Sequence, residues 1–153
     1  MLSGDLENYL DYFESWANEE PGSKFFLYGG VEFGIAFATG REDFGYPFVW
    51  LEQPEIVTED NGAGQYLEKY ATAVCFVQSA PRDDLAAQKQ ASIDMFRLAA
   101  KLQKKLLKDN KKASFLDLTI EMKKNEIDKG WAGDHCGWRL EFIVSLNANP
   151  YLV

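Results

Sequence analysis

One run of three residues, Asp134, His135 and Cys136, combines side chains that ligate transition metals or activate a thiol. Neighbouring residues of a strand point to opposite faces, however, and a zinc site normally takes about four ligands, which no further spacing in the chain supplies. Adjacent residues also rarely reach the hydrogen-bond geometry that a cysteine nucleophile and a histidine base require. We therefore interpret the run as part of a polar hairpin loop, with no metal site and no catalytic residue.

Other signatures of catalysis or cofactor binding are missing from the sequence. Carboxylates are abundant, but a general acid and base need perturbed pKa values within a concave pocket, and abundance does not indicate one. The run GGVEFG lacks the GxGxxG order and the following acidic ribose ligand, and GxxxxGK[ST] does not occur. The sequence therefore predicts a protein that is not an enzyme and has no cofactor.

Charge and cysteine content restrict the classes of partner. Sixteen basic and 24 acidic side chains give a net charge of -8, which argues against a surface that holds DNA by releasing counterions. Such a charge fits solubility, a basic protein partner, or a surface past which a polyanion slides. Cys75 and Cys136 give neither a disulfide framework nor a CxxC spacing, so free thiols in a reducing cytoplasm are expected. No apolar run reaches the roughly 20 residues of a membrane span, and no membrane partner is expected.

The N-terminal third carries one amphipathic helix and two extended segments. Residues 4–18 are predicted to form the helix, capped by Ser3, because their apolar residues recur at three- and four-residue spacing. Residues 25–28 and 46–52 are predicted to be extended, with Pro47 near the start of the second segment. Between them, residues 29–40 alternate like a strand and also contain a helical row of small residues, so that helix and strand both stay open.

A long strand and a long helix follow, and then a hairpin. Residues 65–78 alternate as a strand that is exposed at its beginning and buried towards its end. A helix is predicted from a cap at Asp83 to about residue 109, with Asn110 as its stop. Residues 116–122 and 138–146 alternate as two strands of an antiparallel hairpin with a long loop. This order predicts a single α+β domain over residues 1–153, with the N-terminal helix and one long helix packed on an antiparallel sheet of about four strands.

Two loops are the candidate interaction surfaces. One is TEDNGAG, which contains Asp60 and Asn61, and the other is DKGWAGDHCG, which contains Trp131, Asp134 and His135. A large apolar ring in a glycine-flanked loop is exposed unless it folds back or meets another protein, and both readings of Trp131 stay open. These five residues are our candidate interface.

The element order and three segments, YPFVWLEQPE, PRDDLAAQKQ and CGWRLEFIVSLN, resemble the tail terminator and tail completion proteins of tailed bacteriophages. The resemblance spans most of the chain and lies in architecture, without a short diagnostic motif. It implies a protein that caps the finished tail tube as a ring, typically a hexamer, and docks the head. Its partners would be itself, the tail tube protein and a head-completion or connector protein, and its location the virion tail, or the host cytoplasm during assembly. DNA would pass without specific binding.

Two other classes of function compete with assembly. A small acidic inhibitor or immunity-type protein would bind a basic partner through a negative face, using charge for fast association. A small-ligand protein or enzyme would need a pocket between the sheet and the N-terminal helix, lined by Phe25, Phe26, Tyr28 and Trp50.

Overall fold

The structure, a computed structural model, describes residues 3–30, 40, 42–127 and 134–153. Within these residues the chain is α+β, as predicted. No helix there is both long and apolar enough to cross a membrane. Its elements, in chain order, are α1 (Leu6–Glu19), β1 (Phe25–Gly29), β2 (Phe48–Glu52), β3 (Glu55–Asp60), β4 (Tyr66–Ser79), α2 (Leu85–Lys112), β5 (Lys123–Glu126), β6 (His135–Asn147) and α3 (Asn149–Leu152).

The described strands form one mixed sheet, which is larger than predicted. Its order is β1-β2-β4-β6-β5, and β3 pairs with the first half of β4, on the same edge of β4 as β2. Strands β1 and β2 are parallel, and the other pairs are antiparallel. The expectation of about four antiparallel strands is thus corrected to six strands with one parallel pair. Parallel neighbours need a long connection, which residues 30–47 provide.

The two long helices begin at aspartate caps. Asp5, and not Ser3, caps α1: its carboxylate accepts from the Glu7 amide, and the Asp5 amide donates to Asn8 Oδ1. Asp84, and not Asp83, caps α2 by accepting from the Ala87 amide at 2.9 Å. Both predicted caps are one or two residues too early.

The end of α2 lies beyond the predicted stop. The helix continues through Asn110 to Lys112. The Asn110 carboxamide oxygen instead accepts from the amides of Phe115 and Leu116, both at 2.8 Å, and so fixes the first residues after the helix. A residue interpreted as a helix stop therefore organises the turn that follows the helix.

Both long helices pack on one face of the sheet, which we call the helix face. The main core there combines the apolar stripe of α1 with inward residues of α2, β2, β4 and β6: Tyr9, Phe13, Trp16, Met95, Leu98, Leu102, Leu106, Val49, Leu51, Val74, Leu140, Phe142 and Val144. The long strand β4 becomes buried towards its end, as predicted. Leu85 and Phe96 of α2 are 76% and 40% exposed, so not all apolar residues of this helix are buried in the core.

A second cluster lies on the opposite face, which we call the open face. It contains Leu27, Phe48, Trp50, Cys75 and Val77, with Phe44 and Tyr46 packed against them. Because β2 is thus covered on both sides, four of its five residues are buried and its sequence FVWLE shows no alternation.

The strand predicted over residues 116–122 is wrong. Only Leu116 forms an isolated bridge there, with Val144, and the strand begins at Lys123. Leu118 and Ile120 are exposed. The Asp117 carboxylate accepts from the Thr119 amide and hydroxyl, and this local turn competes with the ladder that the apolar alternation favours. The hairpin partner of β6 is therefore the polar strand β5, with antiparallel pairing as expected.

Acid should weaken the contact that joins α1 to α2. Tyr12 Oη and Lys105 Nζ both donate to Asp109 Oδ2 at 2.8 Å. Partial burial by itself raises the pKa of the Asp109 carboxyl, but the bonds from Lys105 and Tyr12 outweigh burial and hold the pKa below its usual value. A depressed folded-state pKa contributes stability above the unfolded pKa of about 4, and this contribution is lost as pH falls through the folded pKa.

We expect Asp109→Asn to lose about 1 kcal/mol of unfolding free energy at pH 7 and almost none at pH 2. Urea unfolding followed by circular dichroism at both pH values measures the difference. Asp94→Asn, on the exposed side of α2, is the matched control. An equal loss at both pH values would contradict an ionic role for Asp109.

Candidate assembly surfaces

Strand β3 is an open, acidic edge of the sheet. All six of its residues are exposed, including the apolar Ile56 and Val57, and Glu55, Glu59 and Asp60 give it negative charge. Among the described residues it pairs only with β4. An exposed edge strand presents unpaired backbone donors and acceptors to another strand, so β3 is suited to pair with a further chain.

The outward backbone groups of β3 can be identified from the end of its hairpin. The Asn61 amide donates to the Gln65 carbonyl at 3.1 Å, so these two opposite residues form a hydrogen-bonded pair. Hydrogen-bonded and non-bonded pairs alternate along an antiparallel ladder. The backbones of residues 55, 57 and 59 therefore bond to β4, whereas those of Ile56, Thr58 and Asp60 point out of the sheet. Ile56 is opposite Tyr70 of the main core, which places these outward residues on the helix face.

Strand β5 is the opposite margin of the sheet, and it is basic. In the part of the chain that the structure describes, β5 pairs only with β6. The Ile127 amide donates to the Gly137 carbonyl at 2.9 Å, so the same alternation turns the backbones of Lys124 and Glu126 outward. Lys124 is opposite Leu140 of the main core, so these residues also lie on the helix face. Lys123 is exposed on the open face, opposite Glu141.

Asp60 and Asn61, two of the predicted interface residues, shape the turn between β3 and β4. Asp60 Oδ1 accepts from the Gly62 amide at 2.8 Å, and Asn61 Oδ1 accepts from the Ala63 and Gln65 amides at 2.9 and 3.1 Å. Gly62 has a φ of 74°, in the left-handed region that favours glycine. These side chains remain exposed and hold the hairpin that presents β3. Their role in an interface stays a prediction.

Asp134 and His135 lie where β6 begins, and Trp131 lies outside the described residues. Asp134 forms an exposed ion pair with Arg82 at 3.1 Å. Tyr46 Oη and His135 Nε2 are 2.6 Å apart, with their rings in contact. Cys136 is buried and follows on the opposite face of β6, so the three residues do not converge. No group of three or more potential metal ligands occurs within the described ranges.

The two predicted interface regions are far apart. Asp60 is opposite Tyr66, at the first residue of β4, whereas His135 is opposite Ser79, at its last residue. A strand rises about 3.3 Å per residue, so the two regions are roughly 40 Å apart. They cannot belong to one small site, but they can contribute to separate surfaces.

A charged cluster on the open face was not predicted. Glu52 accepts from Arg139 Nε at 2.6 Å and Nη2 at 3.2 Å, and Arg139 also pairs with Glu141. Cys75 Sγ donates to Glu52 Oε2 at 3.4 Å. Burial, together with the Glu52 carboxylate, raises the pKa of the Cys75 thiol well above its usual value, which keeps the thiol protonated and poorly nucleophilic. The cluster borders a shallow cleft of about 330 Å³. Its contacts connect β2, β4 and β6, and its protonated thiol is poorly suited to thiolate chemistry.

An apolar groove of about 730 Å³ runs beside β5 on the helix face. Its walls come from the first half of α2, the end of β5 and the start of β6, including Leu85, Ile93, Phe96, Ile127 and Trp138. Ser92 connects α2 to the two strands that border the groove. Its hydroxyl donates to Glu126 of β5 at 3.0 Å, and its carbonyl accepts from Trp138 Nε1 of β6 at 3.0 Å. The groove therefore adds exposed apolar surface next to the open edge of β5.

The aromatic residues proposed for a ligand pocket do not line the groove or the cleft. Trp50 is fully buried in the second cluster, whereas Phe25, Phe26 and Tyr28 of β1 are half-buried. The described surface carries an acidic edge at β3 and a basic edge at β5. No protein-family model, curated protein or solved structure matches this chain.

Proposed function

We propose that this protein is a structural virion assembly protein, whose subunits form a ring that caps a phage tail tube and joins the tail to the head. The observation that carries self-association is the pair of open edge strands at opposite margins of the sheet, β3 acidic and β5 basic. The assignment to a phage tail rests on the resemblance of the element order and of three segments to tail terminator and tail completion proteins.

Two different complementary surfaces on one subunit favour a closed ring. An interface between unlike surfaces is heterologous, and such interfaces generate rings when the rotation between neighbours closes. By analogy with the resembling family, the ring is a hexamer. Its partners are further copies of this chain, the tail tube protein and a head-completion or connector protein.

The charge of the open face suits a channel for DNA. The helices cover the other face, so the open face can line the lumen of a ring whose subunits join edge to edge. Its cleft is bordered by Glu52, Glu55, Glu121 and Glu141, against only Lys123 and Arg139. A surface with excess negative charge does not hold DNA by counterion release, so DNA would pass without specific binding. The protein would then be located in the virion tail, and in the host cytoplasm during assembly.

Negative-stain electron microscopy across a concentration series tests the proposal. Closed rings with a central channel are the expected result, because heterologous association rises with concentration until the ring closes. Tail tubes that lack this protein should also acquire a cap when it is added, and tubes given a monomeric protein of similar charge are the control. Particles that stay monomeric and leave the tubes uncapped would overturn the assembly function.

One observation favours a second function. The β3–β4 hairpin presents Glu55, Glu59, Asp60 and Glu68 on a single ribbon, which is a negative surface that a basic protein could meet. Under this alternative the protein is an acidic inhibitor or immunity-type protein. It would stay monomeric and bind its partner with a strongly salt-dependent association rate, which the same concentration series and stopped-flow mixing would reveal.

A further inference from the structure

We propose that β3 of one copy joins β5 of the next copy as an antiparallel strand, with Ile56 opposite Glu126 and Thr58 opposite Lys124. This inference rests on the proposed self-association and specifies the residues that form each contact. The occupant of both edges is a second copy of this chain, since the acidic edge and the basic edge complement each other.

The backbone groups of the two edges match. The outward residues of β3 and those of β5 all lie on the helix face, as the hairpin hydrogen bonds and the sheet register show. Directly opposite outward residues exchange two hydrogen bonds in an antiparallel ladder. Pairing Ile56 with Glu126 and Thr58 with Lys124 therefore satisfies four outward donors and four outward acceptors, and keeps the helices of both copies on one side of a continuous sheet.

Side chains select the register. In this register Glu59 is opposite Lys123 and Val57 is opposite Asn125, all on the open face. Glu59 already pairs with Lys69 at 3.0 Å, so Lys123 extends an existing charge network. A shift by two residues in either direction keeps the faces but removes the contact between Glu59 and Lys123. A shift that places Asp60 opposite Lys124 also matches backbone groups and opposite charges, but it moves Ile56 past the end of β5 at Glu126. The proposed register keeps both the contact between Glu59 and Lys123 and a β5 residue opposite Ile56.

The proposed pairing also buries the exposed apolar residue Ile56. Ile56 comes to lie beside Glu126, at the margin of the groove between α2 and β5. Its side chain, 40% exposed in the single chain, can enter this groove against Phe96. Burial of an apolar side chain at a strand junction adds affinity that an exposed charge pair alone does not supply.

The geometry of repeated pairing agrees with a closed ring. Ile56 lies in the row of Tyr70 on β4, and Glu126 lies, through Trp138, in the row of Phe76. Neighbouring copies are therefore displaced by six residues along the strands, which is about 20 Å, and by four strand spacings across them, which is about 19 Å. The strands then tilt by about 45° from the ring axis, near the tilt of about 35–45° in closed β-barrels.

Disulfide trapping between two separately purified variants, Val57→Cys and Asn125→Cys, tests the pairing. Both sites are exposed, and both native cysteines are buried. Non-bonded antiparallel pairs lie about 4.5 Å apart at Cα, within the range that a disulfide spans. After mixing at ring-forming concentration and mild oxidation, the mixture should give about ten-fold more covalent dimer than either variant alone, because the interface orients the thiols. Glu14→Cys on exposed α1, mixed with Asn125→Cys, is the matched control.

Electron microscopy of the same unoxidised samples tests the assembly function separately from the pairing of β3 with β5. Rings with the specific mixed disulfide support both the function and the pairing. Rings without that disulfide overturn the pairing and leave the assembly function standing. The absence of both rings and mixed dimer overturns both, whereas mixed dimer without rings supports the pairing and counts against a closed ring.

Discussion

The Thr58→Pro variant is expected to remain monomeric at concentrations where the proposed β3–β5 pairing would assemble the wild-type protein into rings. The Thr58 amide points out of the sheet, away from β4, so proline removes no backbone hydrogen bond of the β3–β4 hairpin. In the assembled ring the same amide would donate to Lys124 of the neighbouring copy. Proline deletes that donor and places its ring in the space of the incoming strand. Each interface loses about 1 kcal/mol for the missing bond and more for the steric clash, and a closed ring repeats this loss at every interface.

Thr58→Ala is the matched control for this substitution. The Thr58 hydroxyl donates to Glu68 at 3.1 Å on the exposed side of the hairpin, and alanine removes this bond while it keeps the backbone amide. We expect the alanine variant to assemble like the wild-type protein. Sedimentation velocity measures assembly, and circular dichroism with urea unfolding checks that the proline variant stays folded. Rings formed by a folded Thr58→Pro protein would exclude β3 as a paired edge.

Periodic patterns in the sequence were reliable where one face of an element is buried. The alternation of β4 and β6 follows the two faces of the central sheet, and the apolar spacing of α1 follows its contact with that sheet. The order of these elements was enough to predict an α+β fold. The alternation is visible in β4 and β6 because both strands contribute side chains to the main core on the helix face.

The edge strands β3 and β5 were not predictable from the same patterns. Strand β3 is exposed along its whole length, so its sequence EIVTED carries no alternation and its second half was interpreted as a turn. Strand β5 reads KKNE, and its pairing depends on β6, not on its own propensity. Conversely, Leu118 and Ile120 alternate like strand residues but are exposed, because the turn at Asp117 diverts the chain. Local sequence does not encode which segment a neighbouring strand accepts.

The candidate interface shows the same limit. Loop composition singled out Asp60 and Asn61 at the turn, whereas the outward backbones of β3 also include Ile56 and Thr58, which precede the turn. The sequence does contain a pattern that is typical of an exposed edge strand. Two adjacent β-branched apolar residues, Ile56 and Val57, follow Pro54, and the acidic residues after them do not extend an apolar face. Which of these backbones face outward depends on hairpin register, and register required the pairing with β4.

The second cluster, on the open face of β1, β2 and the second half of β4, helps to hold β2 in place. Trp50 lies at its centre, fully buried, and its Nε1 donates to the Gly29 carbonyl of β1 at 2.8 Å. The indole therefore fills the centre of the cluster, and its hydrogen bond also joins the parallel strands β1 and β2. Because β2 and β3 are separated only by Gln53 and Pro54, disorder in β2 would also displace the acidic edge.

Trp50→Ala is expected to lower the unfolding free energy by about 3–5 kcal/mol, because it leaves a large cavity against Leu27, Phe48 and Val77 and removes the partner of the Gly29 carbonyl. A loss of this size is a large fraction of the roughly 5–15 kcal/mol that stabilises a domain. Urea unfolding followed by circular dichroism measures it.

Trp50→Phe retains most of the apolar volume but not the hydrogen bond, so it should cost about 1–2 kcal/mol. If alanine costs no more than phenylalanine, the cavity term is absent and the open-face cluster is not a packed core. If both variants have the expected cost, the open-face cluster is a second packed apolar layer that holds β2, and through the short link at Gln53 and Pro54 also β3, in place.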